Sequence, residues 1–284
     1  DSQWFGNHFK PKKNLKIIKQ DIRNIDKVSL KNIDTIIHLA NIANDPAVDL
    51  NPNLSWDVNV ITSIKIMKYA IKNKVKKFIF ASSGSVYGVK KEKQVTEDLS
   101  LLPISAYNKT KMIAENVLLS YKNKINVYCI RPATVCGFSE RMRLDVSVNL
   151  LTYQAIKNKK IKVLGGKQIR PNIHIKDMIR VYDFFLNKRR IKSGCYNAGF
   201  ENISIIELAK LIKKKIKCTI KIYKSNDVRS YRQSSNKLIN LGFKRLYSVS
   251  NAIDDLIEKF NKKKIKNNMS CYNVKWMKKN KLNG

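Results

Sequence analysis

The chain has 284 residues, of which 43% are hydrophobic, so it is long enough to bury one or two cores, and its composition excludes a disordered chain. It carries 57 Lys and Arg against 21 Asp and Glu, a formal net charge of +36, but the lysines are spread along the whole chain, which favours an attractive field for an anionic small molecule over a nucleic-acid footprint. No run of eighteen apolar residues is present, which excludes a membrane-spanning segment. The five cysteines are scattered and form no C-x-x-C pair, which argues against a disulfide framework or a zinc site and favours the cytoplasm.

Short β-branched runs alternate with longer segments of helical period in the first half of the chain. Strands are predicted at 15–18, 35–40, 77–81 and 126–130, and helices at 53–73 and 106–121. The strand runs are almost continuously apolar, which is typical of strands buried on both faces of a parallel sheet. This alternation predicts right-handed βαβ units and a doubly wound α/β sheet.

The alternation weakens after Gly137. Helices are predicted at 142–158, 204–215 and 249–260, and the basic stretch from Asn261 is expected to fray. Because no linker rich in Pro, Gly or Ser interrupts the chain, we expect a smaller region interleaved with the first rather than a separate module.

Tyr107 and Lys111 are four residues apart on a predicted helix, so the ammonium can lie near the phenol. A nearby cation favours the phenolate and lowers the pKa of the tyrosine, which would make Tyr107 a general base. Ser83, at the end of a predicted strand, offers a hydroxyl for the same substrate oxygen. Taken alone, a Tyr–Lys pair at this spacing is more often a surface pair, so the surrounding motifs decide the interpretation.

Three ordered motifs surround the pair: residues 80–88 (FASSGSVYG), 105–115 (SAYNKTKMIAE) and 130–137 (IRPATVCG). Together they resemble the extended short-chain dehydrogenase/reductase superfamily, in particular its NAD-dependent epimerase/dehydratase family, which includes UDP-glucose 4-epimerase. The resemblance runs from Asp1 to about Leu256. It implies a Rossmann-type parallel sheet with a smaller, interleaved C-terminal substrate domain, and NAD as the cofactor.

The resemblance implies a role for individual residues of this sequence. Tyr107 is the catalytic base, Lys111 binds the ribose and Ser83 is the catalytic hydroxyl. The residues implied to bind the cofactor are Asp1, Asp21, Ile22, Leu39, Ala40, Asn59, Ser82, Tyr107 and Lys111. Asp1 matches the acidic residue that ends the second strand, binds the adenosine ribose and favours NAD over NADP.

The residues implied to bind the substrate are Ser83, Tyr107, Thr134, Asn149, Arg170 and Arg229. Arg170 matches the phosphate-binding arginine, and Arg229 is a looser match. Both suit a diphosphate clamp, since arginine pairs bidentately with phosphate oxygens. Thr134 stands where hexose epimerases usually place an Asn, so the sugar and the base of the nucleotide stay open. No metal site is implied.

Other polar residues have a structural alternative. His38 and His174 are expected to be packed, hydrogen-bonded histidines, and Asp177 is expected to begin a helix. Arg141 and Arg143 either bind the substrate or lie on a solvated loop, and the sequence favours neither alternative.

Two departures from the family pattern concern the cofactor loop and the reaction. The family opens with a strand and G-x-x-G-x-x-G, and no such motif precedes Asp1; we expect about thirty upstream residues to carry it, and we expect poor NAD binding without it. Gly84-Ser85 stand where a 4,6-dehydratase needs Asp-Glu, so that acid–base pair is missing.

These observations predict an NAD-dependent nucleotide-sugar 4-epimerase, an isomerase of nucleotide-sugar metabolism and polysaccharide biosynthesis. A 4-dehydrogenase or reductase, or a dehydratase of the same family, would share most of these residues and stays open. An RNA- or polyanion-binding protein on the same fold is the alternative from another class, and it has no need of Ser83, Tyr107 and Lys111 together.

The resemblance also implies an organisation and a partner. We expect a cofactor-binding domain of residues 1–138 plus about 172–198, and a substrate-binding region of about 139–171 plus 199–284. We expect a homodimer in which helices 53–73 and 106–121 pack against their copies, with Ile113, Val117 and Leu118 at the contact.

Overall fold

The structure is a computed structural model that describes residues 1–9, 12–225 and 230–282. In these ranges nine strands form three sheets. The strands are β1 (Thr35–His38), β2 (Lys77–Ala81), β3 (Asn126–Pro132), β4 (Thr134–Cys136), β5 (Lys160–Leu164), β6 (Ile169–His174), β7 (Gly194–Ala198), β8 (Glu201–Ser204) and β9 (Thr219–Tyr223). The α-helices are α1 (Asp45–Val48), α2 (Pro52–Trp56), α3 (Thr62–Lys72), α4 (Ala106–Ser120), α5 (Ser147–Asn158), α6 (Ile175–Asn187), α7 (Ile205–Lys215), α8 (Asn236–Asn240), α9 (Val249–Asn261) and α10 (Asn273–Lys279).

The central sheet is parallel throughout, with the order β1-β2-β3-β7. Its middle strand residues Phe78, Ile79 and Phe80 are fully buried, because helices cover both faces. On one face α3 and α4 contribute Ile66, Met67 and Leu118 to the core. On the other face α6 packs its own apolar side chains against β2, β3 and β7. The predicted α/β fold with a parallel sheet is therefore confirmed.

Two smaller sheets follow β3 in the chain. One has the order β4-β6-β8 and the other pairs β5 with β9. A separate core of α5, α7 and α9 side chains packs against β5, with Val163, Leu208 and Ile253 fully buried. Because β7 returns to the central sheet between β6 and β8, the two regions are interleaved in the chain. The domain boundaries given above remain a prediction.

The helix ends follow local capping rules. Ser105 precedes α4 and its hydroxyl accepts a hydrogen bond from the backbone of Asn108. Ser204 and Glu207 form a reciprocal capping box at the start of α7. Between α2 and α3, residues Asp57–Ile61 form a π-helical turn, so the predicted helix at 53–73 exists with one widened turn.

Three predicted elements were wrong in part. Residues 15–18 do not form a strand. Within the described ranges they show an isolated bridge from Leu15 to Lys12 and a hydrogen bond from the terminal amine of Asp1 to Ile18 O in place of a ladder. An apolar run becomes a strand only where a neighbour supplies a ladder. Helix α5 begins at Ser147, five residues later than expected. The stretch after Asn261 is not frayed throughout, since α10 buries Met277 and stacks Trp276 on Trp4.

No helix within the described ranges is long and apolar enough to cross a bilayer.

Candidate active site

The candidate site lies where the carboxyl ends of the parallel strands meet. Ser82 and Ser83 follow β2 directly, Thr134 follows β3 and Tyr107 stands in the first turn of α4. They line one cavity of 670 Å³, which Ser105 helps to place because its hydroxyl also hydrogen-bonds the carboxylate of Asp45. Ligands of open α/β sheets bind at this edge.

Ser83 and Tyr107 meet on the wall of this cavity. Ser83 caps the short 3-10 helix Gly84–Tyr87, and its Oγ lies 2.8 Å from Ser85 Oγ. Burial raises the pKa of Tyr107, and a hydrogen bond with Ser83 lowers it by less. The expected lowering of this pKa by Lys111 together with bound NAD stays a prediction.

Lys111 is 2% exposed and lies below Tyr107 on the same face of α4. Its Nζ donates a 2.7 Å hydrogen bond to Ala81 O at the end of β2 and lies 5.9 Å from the centre of the Tyr107 ring. Burial lowers the pKa of Lys111 to about 7, and the charge of Glu115 opposes this shift. The ammonium is thus held close to, but not on, the phenol.

A buried ion pair fixes α4 against the sheet. The Nη2 of Arg131, near the end of β3, lies 2.8 Å from Glu115 Oε2, one helical turn beyond Lys111. Arg131 also donates to the hydroxyl of Tyr87, which in turn donates to Asn197 on β7. This network joins α4, the loop after β2 and two strands, so it sets the distance between Ser83 and Tyr107. No periodic pattern in the sequence predicted this network.

Asn59 holds the loop after β1 rather than facing a ligand. Its Oδ1 accepts from Ile42 N at 2.8 Å, and its Nδ2 donates to Ile42 O at 3.0 Å and to Thr110 Oγ1 at 3.2 Å. The π-helical turn places this side chain inside the structure. This geometry braces the loop after β1, whereas the cofactor contact that the resemblance implies for Asn59 does not follow from it.

The two histidines described as packed are packed. His38 Nε2 lies 2.9 Å from Ser63 Oγ, and burial lowers the pKa of His38 to about 3, so it stays neutral. His174 accepts a hydrogen bond from Lys176 N through Nδ1 and stacks on Tyr247. Asp177 lies in the first turn of α6, as expected.

Four residues expected to bind the cofactor line a second pocket, of 110 Å³: Asp1, Asp21, Ile22 and Ala40. Asp21 also binds the guanidinium of Arg23, which lowers the pKa of its carboxyl group. Leu39 does not join them, since 55% of its surface is exposed.

The donors and acceptors around the two pockets fit a dinucleotide. Asp1 and Asp21 supply carboxylates at an apolar wall, which suits ribose hydroxyls and an adenine ring. Two buried oxygens, Asn41 Oδ1 and Ser82 Oγ, have no hydrogen-bond partner among the described residues and lie on the two pockets. Buried oxygens of this kind call for a ligand or water donor.

The predicted substrate residues Thr134, Asn149 and Arg170 line the main cavity, while Arg229 lies outside the described residues. Asn149 uses its amide on the backbone: Oδ1 accepts from Gly137 N at 2.9 Å and Nδ2 donates to Arg143 O at 2.9 Å. It therefore shapes the loop after β4, and a direct contact with a nucleotide is not part of this arrangement.

Arg141 and Arg143 both line the main cavity, so the substrate-binding alternative stays a prediction. Arg143 Nε donates to Asp145 at 2.8 Å. Arg141 stacks on Phe5 at 3.9 Å and donates to Asn273, while its Nε is buried without a partner among the described residues. Burial lowers the pKa of Arg141 to about 10, so an anion in the cavity would relieve an uncompensated charge.

In the described ranges no cluster of His, Cys, Asp and Glu could hold a metal ion. The five cysteines are free thiols.

Comparison with known proteins gives a consistent picture. Residues 2–199 match the family described as NAD dependent epimerase/dehydratase. The chain is 29% identical over 214 residues to the uncharacterized UDP-glucose epimerase YtcB of Bacillus subtilis, covering 72% of this chain and 65% of that protein. It is 28% identical over 219 residues to a putative UDP-glucose 4-epimerase of Methanocaldococcus jannaschii, covering 74% of this chain and 70% of that protein. The chain thus spans less than two thirds of the Bacillus subtilis relative.

A solved structure of UDP-glucuronic acid 4-epimerase from Bacillus cereus, in complex with UDP-glucuronic acid and NAD, superposes with a TM-score of 0.76. It is 27% identical to the chain, and the superposition covers 86% of this chain and 81% of that one.

Proposed function

The chain belongs to the NAD-dependent epimerase/dehydratase family, and we propose that the protein inverts C4 of a nucleotide-diphosphate sugar. The observation that carries the proposal is the contact of Ser83 with Tyr107 on the wall of a 670 Å³ cavity whose lining includes Arg141, Arg143 and Arg170. A proton acceptor thus faces a space with cations for a diphosphate.

NAD is the cofactor of the family, and when bound it accepts a hydride from the sugar carbon and returns it. Asp1 and Asp21 would hold the adenosine end, through the ribose and the adenine respectively. Ser82 and Lys111 would hold the nicotinamide end, where Lys111 Nζ can turn from Ala81 O to a ribose hydroxyl. These roles use groups that already line or adjoin the pockets.

The residues of the chain handle the proton. Tyr107 Oη takes the proton of the sugar 4-hydroxyl and returns it when the carbonyl is reduced. Ser83 Oγ donates to the same sugar oxygen and steadies the negative charge that develops there. Because burial raises the pKa of Tyr107, the phenolate forms only when positive charge is added near the ring, so deprotonation is coupled to a loaded site.

Arginines give the cavity its choice of substrate. Arg170 lines the same cavity as Thr134 and suits the diphosphate, because a guanidinium group pairs with phosphate oxygens. Arg141 and Arg143 add two further guanidinium groups to the same cavity, and this favours a sugar that brings a carboxylate of its own. We therefore rank UDP-glucuronic acid ahead of UDP-glucose.

The test incubates the full-length protein with UDP-glucuronic acid, UDP-glucose and their GDP and CDP counterparts in the presence of NAD. We expect the C4 epimer to form without net NADH, resolved by anion-exchange chromatography and NMR. NADH produced in proportion to product would instead establish a 4-dehydrogenase, and no turnover of any sugar would overturn the proposal. Tyr107→Phe is the control, and it should lower turnover by about 10²–10⁴ because the base is lost while the ring stays.

A further inference from the structure

A buried glutamine lies behind the candidate catalytic loop. Gln233 is 2% exposed, and its Nε2 donates a 2.7 Å hydrogen bond to Arg131 O, near the end of β3. Its Oε1 is buried and accepts no hydrogen bond from the described residues. A buried amide oxygen without a donor is costly, so its position calls for an explanation.

The explanation lies in two glycines that face this oxygen. A Cβ added at Gly84, the residue after Ser83, would lie 2.9 Å from Gln233 Oε1 and 3.2 Å from Pro132 O. A Cβ added at Gly199 would lie 2.8 Å from the same oxygen and 2.6 Å from the Cβ of Ala133. The amide of Gln233, called the wedge below, therefore lies between the chain segments of Gly84 and Gly199. These segments come this close only because both carry glycine.

The backbone around Gln233 holds the wedge in place. Gln233 N donates to Asn202 Oδ1 at 2.9 Å, and Asn202 Nδ2 donates back to Gln233 O at 3.1 Å. On either side, Val95 N donates to Arg232 O and Ser234 N donates to Val95 O. Four hydrogen bonds thus fix the main chain at this point, so the side chain cannot withdraw easily from Gly84.

The same segment reaches the substrate cavity. Tyr231, two residues earlier, lines the cavity that holds Ser83 and Arg170. Ser230 Oγ accepts a 3.0 Å hydrogen bond from Ile169 N, the residue before Arg170. One short stretch of chain therefore touches both the phosphate side of the cavity and the back of the loop that carries Ser83.

We propose that Gln233 is a positioning and specificity-determining residue, which seats the loop after β2 so that Ser83 meets Tyr107 and which closes position 84 to any side chain. A side chain at position 84 would meet this amide, so the wedge keeps an acid from being placed there. The kinetic part of this inference rests on the proposed function, whereas the wedge itself does not.

The first experiment tests the wedge without an activity measurement. Thermal melting is measured for Gly84→Ala, Gln233→Ser and the double variant. Gly84→Ala should lower Tm by several degrees, because the new methyl group meets the amide oxygen. In the double variant the shorter serine leaves space, so its loss should be clearly smaller than the sum of the two single losses. Additive losses would refute the wedge.

The second experiment tests positioning. Gln233→Ala leaves a space into which the loop can relax, and a shift of about 1 Å in a reacting group can cost about 10²-fold. We expect kcat to fall at least about tenfold, with the KM for the sugar changed less, since Gln233 does not line the cavity. The matched control is Gln154→Ala, which also deletes an amide bonded to a backbone group, here Lys162 N, and should keep kcat.

A conservative variant supplies a pH readout. In Gln233→Glu a carboxylate would face the carbonyl of Arg131, while the protonated acid restores the donor. Burial raises the pKa of such an acid, so kcat of this variant should recover as the pH falls, unlike that of the wild type. An unchanged pH profile, or Gln233→Ala with kcat within twofold of the wild type, would refute the positioning role. If the wild type turns over no sugar, the proposed function fails and the melting experiment alone decides the wedge.

Discussion

Replacement of Lys111 by Met should stabilise the protein at acidic pH while it impairs function. Lys111 is 2% exposed and its pKa is lowered to about 7, against 10.5 for an exposed lysine. Above pH 7 the folded protein holds this amine neutral while the unfolded chain still binds the proton. Stability therefore rises with pH from about 7 up to the unfolded pKa and is lowest below 7, where the folded state must bury the charge.

The size of this dependence follows from the two pKa values. Between pH 6 and pH 9 the amine of the folded protein loses its proton at about pH 7, whereas that of the unfolded chain keeps it. Over the roughly two pH units above 7, this difference adds about 2–3 kcal/mol to the free energy of unfolding. In a domain of this size that is a Tm shift of about 4–10 °C. Lys111→Met removes the ionisable group and should remove this part of the pH dependence.

The assay is calorimetry or thermal melting of wild type and Lys111→Met at pH 6, 7.5 and 9, without NAD. We expect the variant to be favoured most at pH 6, with its advantage shrinking by about 2–3 kcal/mol at pH 9. Lys109→Met, an exposed lysine on the same helix, should keep the pH dependence of the wild type. A difference between wild type and Lys111→Met that does not change with pH would show that the buried amine does not titrate in this range.

Three further predictions concern the site, its support and the assembly. Ser83→Ala should lower kcat more than it changes the KM for the sugar, because its hydroxyl matters most as charge reaches the sugar oxygen; equal loss in both would assign it to binding. Glu115→Ala should cost about 3–5 kcal/mol in chemical denaturation, since it leaves Arg131 buried without its partner, and a loss under 1 kcal/mol would contradict the network. The protein should run as a dimer in light scattering at micromolar concentration, with Ile61→Glu, at a position 59% exposed at the end of the π-helical turn, giving monomers; a monomeric wild type would refute the dimer.

The sequence predicted the central sheet well because its signals are local. The runs at β2 and β3 are each apolar over four residues, 78–81 and 127–130, and a parallel sheet buried on both faces needs that pattern. Ser105 marks the start of α4 as an N-cap, so Tyr107 and Lys111 fall on one face without further information. The prediction that Leu118 lies at the dimer contact was wrong, because its side chain is fully buried within the chain itself.

What the sequence could not reveal depends on contacts between distant segments. The strand expected at 15–18 has the right composition, but strand formation depends on neighbours that lie elsewhere in the chain. Arg141 reaches the cavity through its stack on Phe5, more than a hundred positions away, and no spacing rule connects them. Gln233 had no signal at all, since its role depends on the glycines at 84 and 199.

The charge balance beneath the site explains why Lys111 is so sensitive. Glu115 lies one turn away and could neutralise the ammonium, but both of its oxygens accept from the guanidinium of Arg131, at 2.8 to 3.3 Å. Lys111 is left with the carbonyl of Ala81, a neutral acceptor, so burial outweighs the attraction of the carboxylate. Two buried cations share one anion. Burial therefore lowers the pKa of Lys111 to about 7, and the charge of this amine is sensitive to any ion that comes near it.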